Sequence, residues 1–244
     1  MSERRCLCLV IIGVWLGFST VANGKPLFRD DFEGDTIGAA PKNLEKYDHA
    51  HNEGNFKIEV VKDPEGKSGK VVHQFSYAYY IPKAAGSDGW TDWIWEWDWM
   101  WSQTGFPGTA FRLTDNEYYH ISPRGDNINV GFWYWNGAWN QKGALVGYDF
   151  GLNTWNRFQV IAKGSEFTLK IKRRDDPTPF AKMKPLLEAK DDTLKKGQMS
   201  VGGTVNQDTW IDNFIVGETE ADLTFPVEPM GKLAAIWGAL KNRD

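Results

Sequence analysis

Hydrophobic and polar positions alternate with a period of two along much of this chain. The sharpest case is residues 93–101, W-I-W-E-W-D-W-M-W, where five tryptophans alternate with Ile94, Glu96, Asp98 and Met100. On a β-strand this spacing puts every Trp on one face and Glu96 with Asp98 on the other; on a helix the same residues ring the axis. Further strands are predicted at 55–61, 70–80, 109–113, 117–121, 127–135, 157–162, 167–173 and 209–216. Turns rich in Gly, Asn, Asp and Pro separate them, such as D-P-E-G-K-S-G-K. No convincing helix precedes residue 182, and K-M-K-P-L-L-E-A-K-D-D-T-L-K-K holds at most a turn or two because of Pro185. Many short strands without a βαβ rhythm indicate an antiparallel sandwich or barrel. We favour a sandwich, in which alternate residues of each strand meet across the core, with residues 25–219 as one domain.

Both ends depart from this pattern. Arg4 and Arg5 precede the apolar run C-L-C-L-V-I-I-G-V-W-L-G-F, which passes into S-T-V-A-N-G. Ala22 and Gly24 fit a signal-peptidase site, so residues 1–24 read as a signal peptide cleaved after Gly24. A membrane anchor is the competing reading, but the run is short of the ~20 residues a span needs. The chain is therefore expected to be secreted, periplasmic or extracellular. At the other end, 220–244 forms a tail in which Leu233, Ile236, Trp237 and Leu240 recur at helical spacing. Such a short helix either docks on the sandwich or serves as a contact for an envelope partner.

Composition narrows the chemistry. The 244 residues carry a formal net charge of -4, with no basic tract and 4 His, so no electrostatic nucleic-acid footprint is present. Removing residues 1–24 takes away Glu3, Arg4 and Arg5, a formal +1, and leaves about -5. Both cysteines, Cys6 and Cys8, lie in the leader, so the mature chain has neither disulfide nor thiolate metal site.

Three stretches carry a family resemblance. The opening F-R-D-D-F-E-G-D (28–35) resembles the first strand of exported concanavalin A-like jelly rolls, including laminin-G-like domains. N-T-W-N-R-F-Q-V-I-A-K-G-S-E-F-T-L-K-I (153–171) resembles their central hairpin, with Gly164 at the turn. G-Q-M-S-V-G-G-T…W-I-D-N-F-I-V (197–216) is similar to their last two strands. The resemblance implies an all-β, antiparallel jelly-roll β-sandwich of the concanavalin A-like class, here with a short C-terminal helix added. It does not settle function, since this architecture hosts many activities.

Hydrolases of the laminarinase and agarase type share that fold, and their signature strand resembles E-x-D-x-x-E or a version one residue shorter. Here Glu96 and Asp98 match the first two positions, but Trp101, or Met100 in the shorter version, stands where the second Glu belongs. Retaining hydrolysis needs two carboxyl groups about 5 Å apart, and Glu96 with Asp98 is the only part of such a set in view. A solvated or hydrogen-bonded outward strand face is the competing role. A lyase reading would draw a base and cations from Tyr119, His120, Arg112 and Arg124, with Tyr118 and His120 outward if Ile121 is core. His73 is isolated, His49 and His51 lack further metal partners, and no G-x-S-x-G, H-E-x-x-H or phosphate loop occurs.

Thirteen Trp residues are the strongest compositional anomaly. The five of 93–101 suit a packed core layer. In G-F-W-Y-W-N-G-A-W-N (131–140), Trp133 and Trp135 share one face and Phe132 and Tyr134 the other, so one aromatic face is free to look outward. Aromatics beside turns suit stacking on sugar rings, which makes Tyr118, Tyr134 and Trp139 candidate ligand contacts, with Arg112 and Arg124 as polar neighbours. Asp31 and Asp212 resemble positions at which such sandwiches hold structural Ca²⁺, and turn capping is the alternative role for both. The functional expectation is an exported protein that binds polysaccharide or cell-surface glycan without cutting it. A divergent glycoside hydrolase or polysaccharide lyase and a structural envelope protein are the alternatives. An open cleft holding Glu96 and Asp98 would favour the enzyme, exposed aromatics without converging acids the binding protein, and a featureless surface the structural role.

Overall fold

The computed structural model describes residues 24–47, 53–67, 69–124, 128–202 and 207–225. The leader up to 23, the His49/His51 pair and the tail helix at 233–240 lie outside the described residues.

Two antiparallel sheets stack face to face. The larger contains β1 (Phe28–Asp30), β3 (Glu53–Lys62), β4 (Lys70–Tyr77), β6 (Trp93–Trp101), β11 (Asn156–Lys163), β12 (Glu166–Arg173), β13 (Leu187–Lys190) and β15 (Asp208–Gly217). Its order is β13-β12-β11-β6-β15-β4-β3, with β1 also paired to β15. The smaller runs β10-β9-β8-β7-β14, from β7 (Thr109–Leu113), β8 (Tyr118–Arg124), β9 (Asn129–Trp135), β10 (Trp139–Gly147) and β14 (Gln198–Ser200). A ribbon of β2 (Leu44–Tyr47) and β5 (Tyr79–Pro82) joins the β14 edge through a Tyr80–Val201 bridge.

The expected strand 70–80 breaks in two. Ser76 has φ 67°, and the Gln74 side-chain amide donates to the carbonyls of Ser76 and Ala78, at 3.2 and 2.6 Å, so the chain kinks out of the large sheet into the ribbon. The expected helical turn at 182–196 is also corrected. A single 3₁₀ turn, Phe180–Lys182, precedes Pro185, and Leu187 is then buried at the edge of β12 as β13 begins.

The alternation of β6 places the core. All five of its tryptophans are at most 1% exposed and point at the smaller sheet. Trp95 and Trp97 stack at 3.9 Å, Trp97 stacks on Phe158 at 5.0 Å, and Trp93 meets Phe111 edge-on at 5.7 Å. Phe111, Tyr119, Ile121 and Phe132 of the smaller sheet complete the layer. Four indole N–H groups, those of Trp93, Trp95, Trp97 and Trp99, have no oxygen or nitrogen acceptor among the described residues. Their surroundings are other rings, such as the 74° edge contact between Trp93 and Trp95. Each such donor forfeits part of what its ring gains by burial.

Candidate functional site

On the opposite face of β6 the acid pair was expected to be solvated or hydrogen-bonded, and the structure shows the hydrogen-bonded arrangement under cover. Asp98 is fully buried and Met100 is 2% exposed, packed with Val71 and Trp155 in a second small core on the outside of the large sheet. Trp155 is in turn covered by Arg174, whose guanidinium lies 4.3 Å from the ring centre. Asp98 accepts two hydrogen bonds from Arg157, at 2.6 and 2.8 Å, and a third from the Asn213 amide at 2.8 Å. No substrate reaches a carboxylate held this way. Glu96 is half-buried and accepts the Gln159 amide at 2.8 Å; that amide also approaches Glu220 at 3.3 Å. Burial pushes the Glu96 carboxyl up to about 7, against the pull of Gln159 and Arg157. Glu96 and Asp98 are thus neighbours in a buried polar layer and do not line an open cleft.

Asp31 and Asp212, the positions considered for calcium, both hold backbone or charged partners. Asp31 caps a turn by accepting the Glu33 N–H at 3.2 Å. Asp212 accepts the Asn213 N–H and has an Arg174 guanidinium nitrogen at 4.0 Å, a cation where a second cation would have to sit. Among the described residues no group of three or more His, Cys, Asp or Glu is arranged to hold a metal ion.

The remaining candidates divide between the two faces of the smaller sheet. Tyr134, expected to contact ligand, points into the core and is 5% exposed, its hydroxyl donating to Glu117 at 2.9 Å. The reason is register: Tyr134 lies opposite Tyr119, and both follow Phe132 and Ile121 inward. Arg112 is also corrected. It sits at a left-handed kink of β7 (φ 48°), which turns its guanidinium inward over the Phe167 ring at 5.0 Å. There it donates to the carbonyls of Leu194 and Thr91, fully buried. Arg124 ends β8, and its side chain lies outside the described residues.

Tyr118 and His120 do face outward from the sandwich, as alternation implied, yet they are 0% and 4% exposed. Tyr79 of the ribbon covers them, donating or accepting a hydrogen bond at 3.0 Å with His120 Nδ1. Gly108 leaves the room His120 needs, since a Cβ there would overlap the imidazole ring. Both rings then serve as a floor. Trp139 meets both edge-on, 5.9 Å from Tyr118 at 81° and 5.0 Å from His120 at 60°, and stands 45% exposed.

Around Trp139 the sheet presents a row that sequence reasoning left half-assigned. Trp135 sits opposite Trp139 in register with ring centres 4.9 Å apart, and Trp133 sits opposite Gln141. Trp133 and Trp135 are half-buried, Gln141 is exposed, and Leu145 is 42% exposed beside Gly131. From Gly131 to Trp135 this strip runs about 14 Å along β9. Phe132 and Tyr134 thus take the core side, and the Trp pair is the face that looks out.

An antiparallel two-sheet sandwich with these connections is a jelly roll of the galectin-like kind. Similar solved structures include domain 4 of AbnA, an extracellular family 43 arabinanase from Geobacillus stearothermophilus, in complex with arabinotriose. It is 13% identical with a TM-score of 0.54, covering 83% of this chain and 98% of that one. A second is the catalytic domain of a glycoside hydrolase family 131 protein from Coprinopsis cinerea, 11% identical, TM-score 0.51, covering 81% and 96%. A third is a protein of unknown function with a galectin-like fold from Bacillus subtilis, 11% identical, TM-score 0.50, covering 80% and 97%. The likeness at these identities is one of fold. No family profile matches the chain, and no curated protein sequence does.

Proposed function

We propose that this protein is exported and binds polysaccharide or cell-surface glycan along the Trp133–Trp135–Trp139 strip, without cleaving it. The observation that carries this reading is the exposed Trp139 indole, braced edge-on against the buried Tyr118 and His120 rings and flanked by two more indoles and the Gln141 amide. A pyranose or furanose ring offers a C–H face to stack on such a surface and hydroxyls for the neighbouring amide. Support also comes from the fold, which is shared with an arabinanase domain bound to arabinotriose and with a glycoside hydrolase domain. The acid pair considered for hydrolysis, Glu96 and Asp98, lies on the other sheet and on its far face, away from the strip.

The size of the expected effect follows from exposure. Complete burial of a large apolar side chain is worth about 1.5–3 kcal/mol. Trp139 has about half of that still to gain, near 1.4 kcal/mol, which is about tenfold in affinity. The test is retention of the purified chain on a polysaccharide panel that includes arabinan, with reducing ends assayed in the same samples. Binding without product, weakened about tenfold by Trp139→Ala, is the expected result. Retention indifferent to Trp139→Ala and Trp135→Ala, or none at all, would overturn the proposal. Release of reducing ends that stops in Glu96→Gln would overturn its non-catalytic half.

A further inference from the structure

The charge distribution around the strip allows a narrower statement, which rests on the reading above. We infer that the ligand is an uncharged polysaccharide and that uronate-bearing or sulfated chains are excluded. A site for anionic glycans needs a cation at the surface where the sugars lie, because a carboxylate or sulfate that loses water must be paired. The outward positions of β9 and β10 supply indoles, an amide and a leucine. Apart from Arg124, whose side chain lies outside the described residues, two nearby cations are engaged elsewhere. Lys142 belongs to β10 but turns to the opposite face, where it pairs with Asp191 at 2.5 Å and lies 5.1 Å from the Tyr134 ring centre. Arg112 is sealed inside the sandwich on two carbonyls.

The fixed charge at the neighbouring β7–β8 turn has the wrong sign for an anionic ligand. Tyr118 pairs in register with Trp135, so residue 115 borders the Trp135–Trp139 end of the strip. There Asp115 accepts the Tyr47 hydroxyl at 3.4 Å, and Tyr47 packs in the same outer cluster as Trp135. An acidic chain laid along the indoles would run toward that carboxylate, whereas a neutral one meets only hydrogen-bonding groups. The whole chain, at -4, adds long-range repulsion in the same direction.

Matched polysaccharides test this with the full chain. Neutral arabinan, xylan and mixed-linkage glucan are compared with polygalacturonate, alginate and a carboxymethylated form of whichever neutral chain binds. The expected result is binding to a neutral chain, lost on carboxymethylation and changed less than about twofold between about 50 and 500 mM salt. Gln141→Lys, which adds a cation to the strip, is expected to create measurable binding to polygalacturonate. Binding to polygalacturonate or alginate that weakens in Trp139→Ala would overturn this inference and leave the proposed function standing. So would a neutral ligand whose affinity falls more than about tenfold over that salt range, or a Gln141→Lys variant, folded by its melting curve, that gains nothing. Absence of any Trp139-dependent binding would overturn both.

Discussion

Replacing Asp98 with alanine separates a structural carboxylate from a catalytic one. In the folded protein this side chain is 0% exposed and Arg157 is 31% exposed. The substitution strands a guanidinium whose Nε and Nη2 both lose their acceptor, and an Asn213 amide that loses its own. Breaking a buried ion pair from one side costs about 3–5 kcal/mol. Because part of Arg157 still reaches water, the lower end applies, about 3 kcal/mol, and the lost Asn213 bond adds about 1 kcal/mol. For a domain of this size that is a drop in Tm of about 8–16 °C. Urea unfolding with linear extrapolation measures it directly. The double variant Asp98→Leu/Arg157→Met, which removes both charges, is expected to recover most of the loss, with a coupling above about 1.5 kcal/mol. A loss below about 1 kcal/mol, or singles that add within about 0.5 kcal/mol, would refute the account of this layer as a structural ion pair.

Other perturbations probe the rest of the structure. Glu96 binds its proton more readily folded than unfolded, so its contribution to stability is complete below the unfolded value of 4.5 and is lost as pH rises through about 7. Glu96→Gln is therefore expected to match the parent protein near pH 5 and exceed it near pH 8, read as urea midpoints; a parallel pair of curves would contradict the burial of that carboxyl. Trp97→Ala, which opens the stack between Trp95 and Phe158, is expected to cost about 4 kcal/mol. Trp97→Phe should cost about 1 kcal/mol, because it also removes an N–H that has no acceptor. Gly108→Ala drives a methyl group into the His120 ring and is expected to cost about 1–3 kcal/mol and to weaken glycan retention by displacing the His120 ring that braces Trp139.

What could be read from the chain was what alternation controls. β6, β8, β11 and β12 each carry their core residues at every second position, and each appears in the structure close to where that pattern put it; β7 and β15 also appear there, although left-handed Arg112 and Asn213 break their alternation. β10 escaped because nearly all its residues are exposed or half-buried and Gly143 interrupts it, so no period of two is imposed on it by a core. Faces were harder than strands. Alternation separates Trp133 and Trp135 from Phe132 and Tyr134 without saying which pair points inward; that depends on β8, whose Tyr119 and Ile121 set the register. The outward side of β6 was misjudged for a related reason. Its cover, Trp155 and Arg174, comes from loops flanking the β11–β12 hairpin, and a strand's own sequence does not report what lies over it.

The central place of β6 has a consequence for how the chain reaches this state. Its partners arrive late: Trp95 pairs with Val160 on one side and with Val216 on the other, so the sheet closes only when the last strand is in hand. Contacts of such separation make folding slow, and until then a nine-residue strand with five indoles stands with both edges unpaired. Segments of that kind pair with copies of themselves unless charge interrupts them. Glu96 and Asp98 are the interruption, one in every pair of outward positions at the middle of the strand. Before they meet Gln159 and Arg157, these carboxylates act as gatekeepers against self-association, and a chain lacking both is expected to lose more refolding yield than its lowered stability alone accounts for.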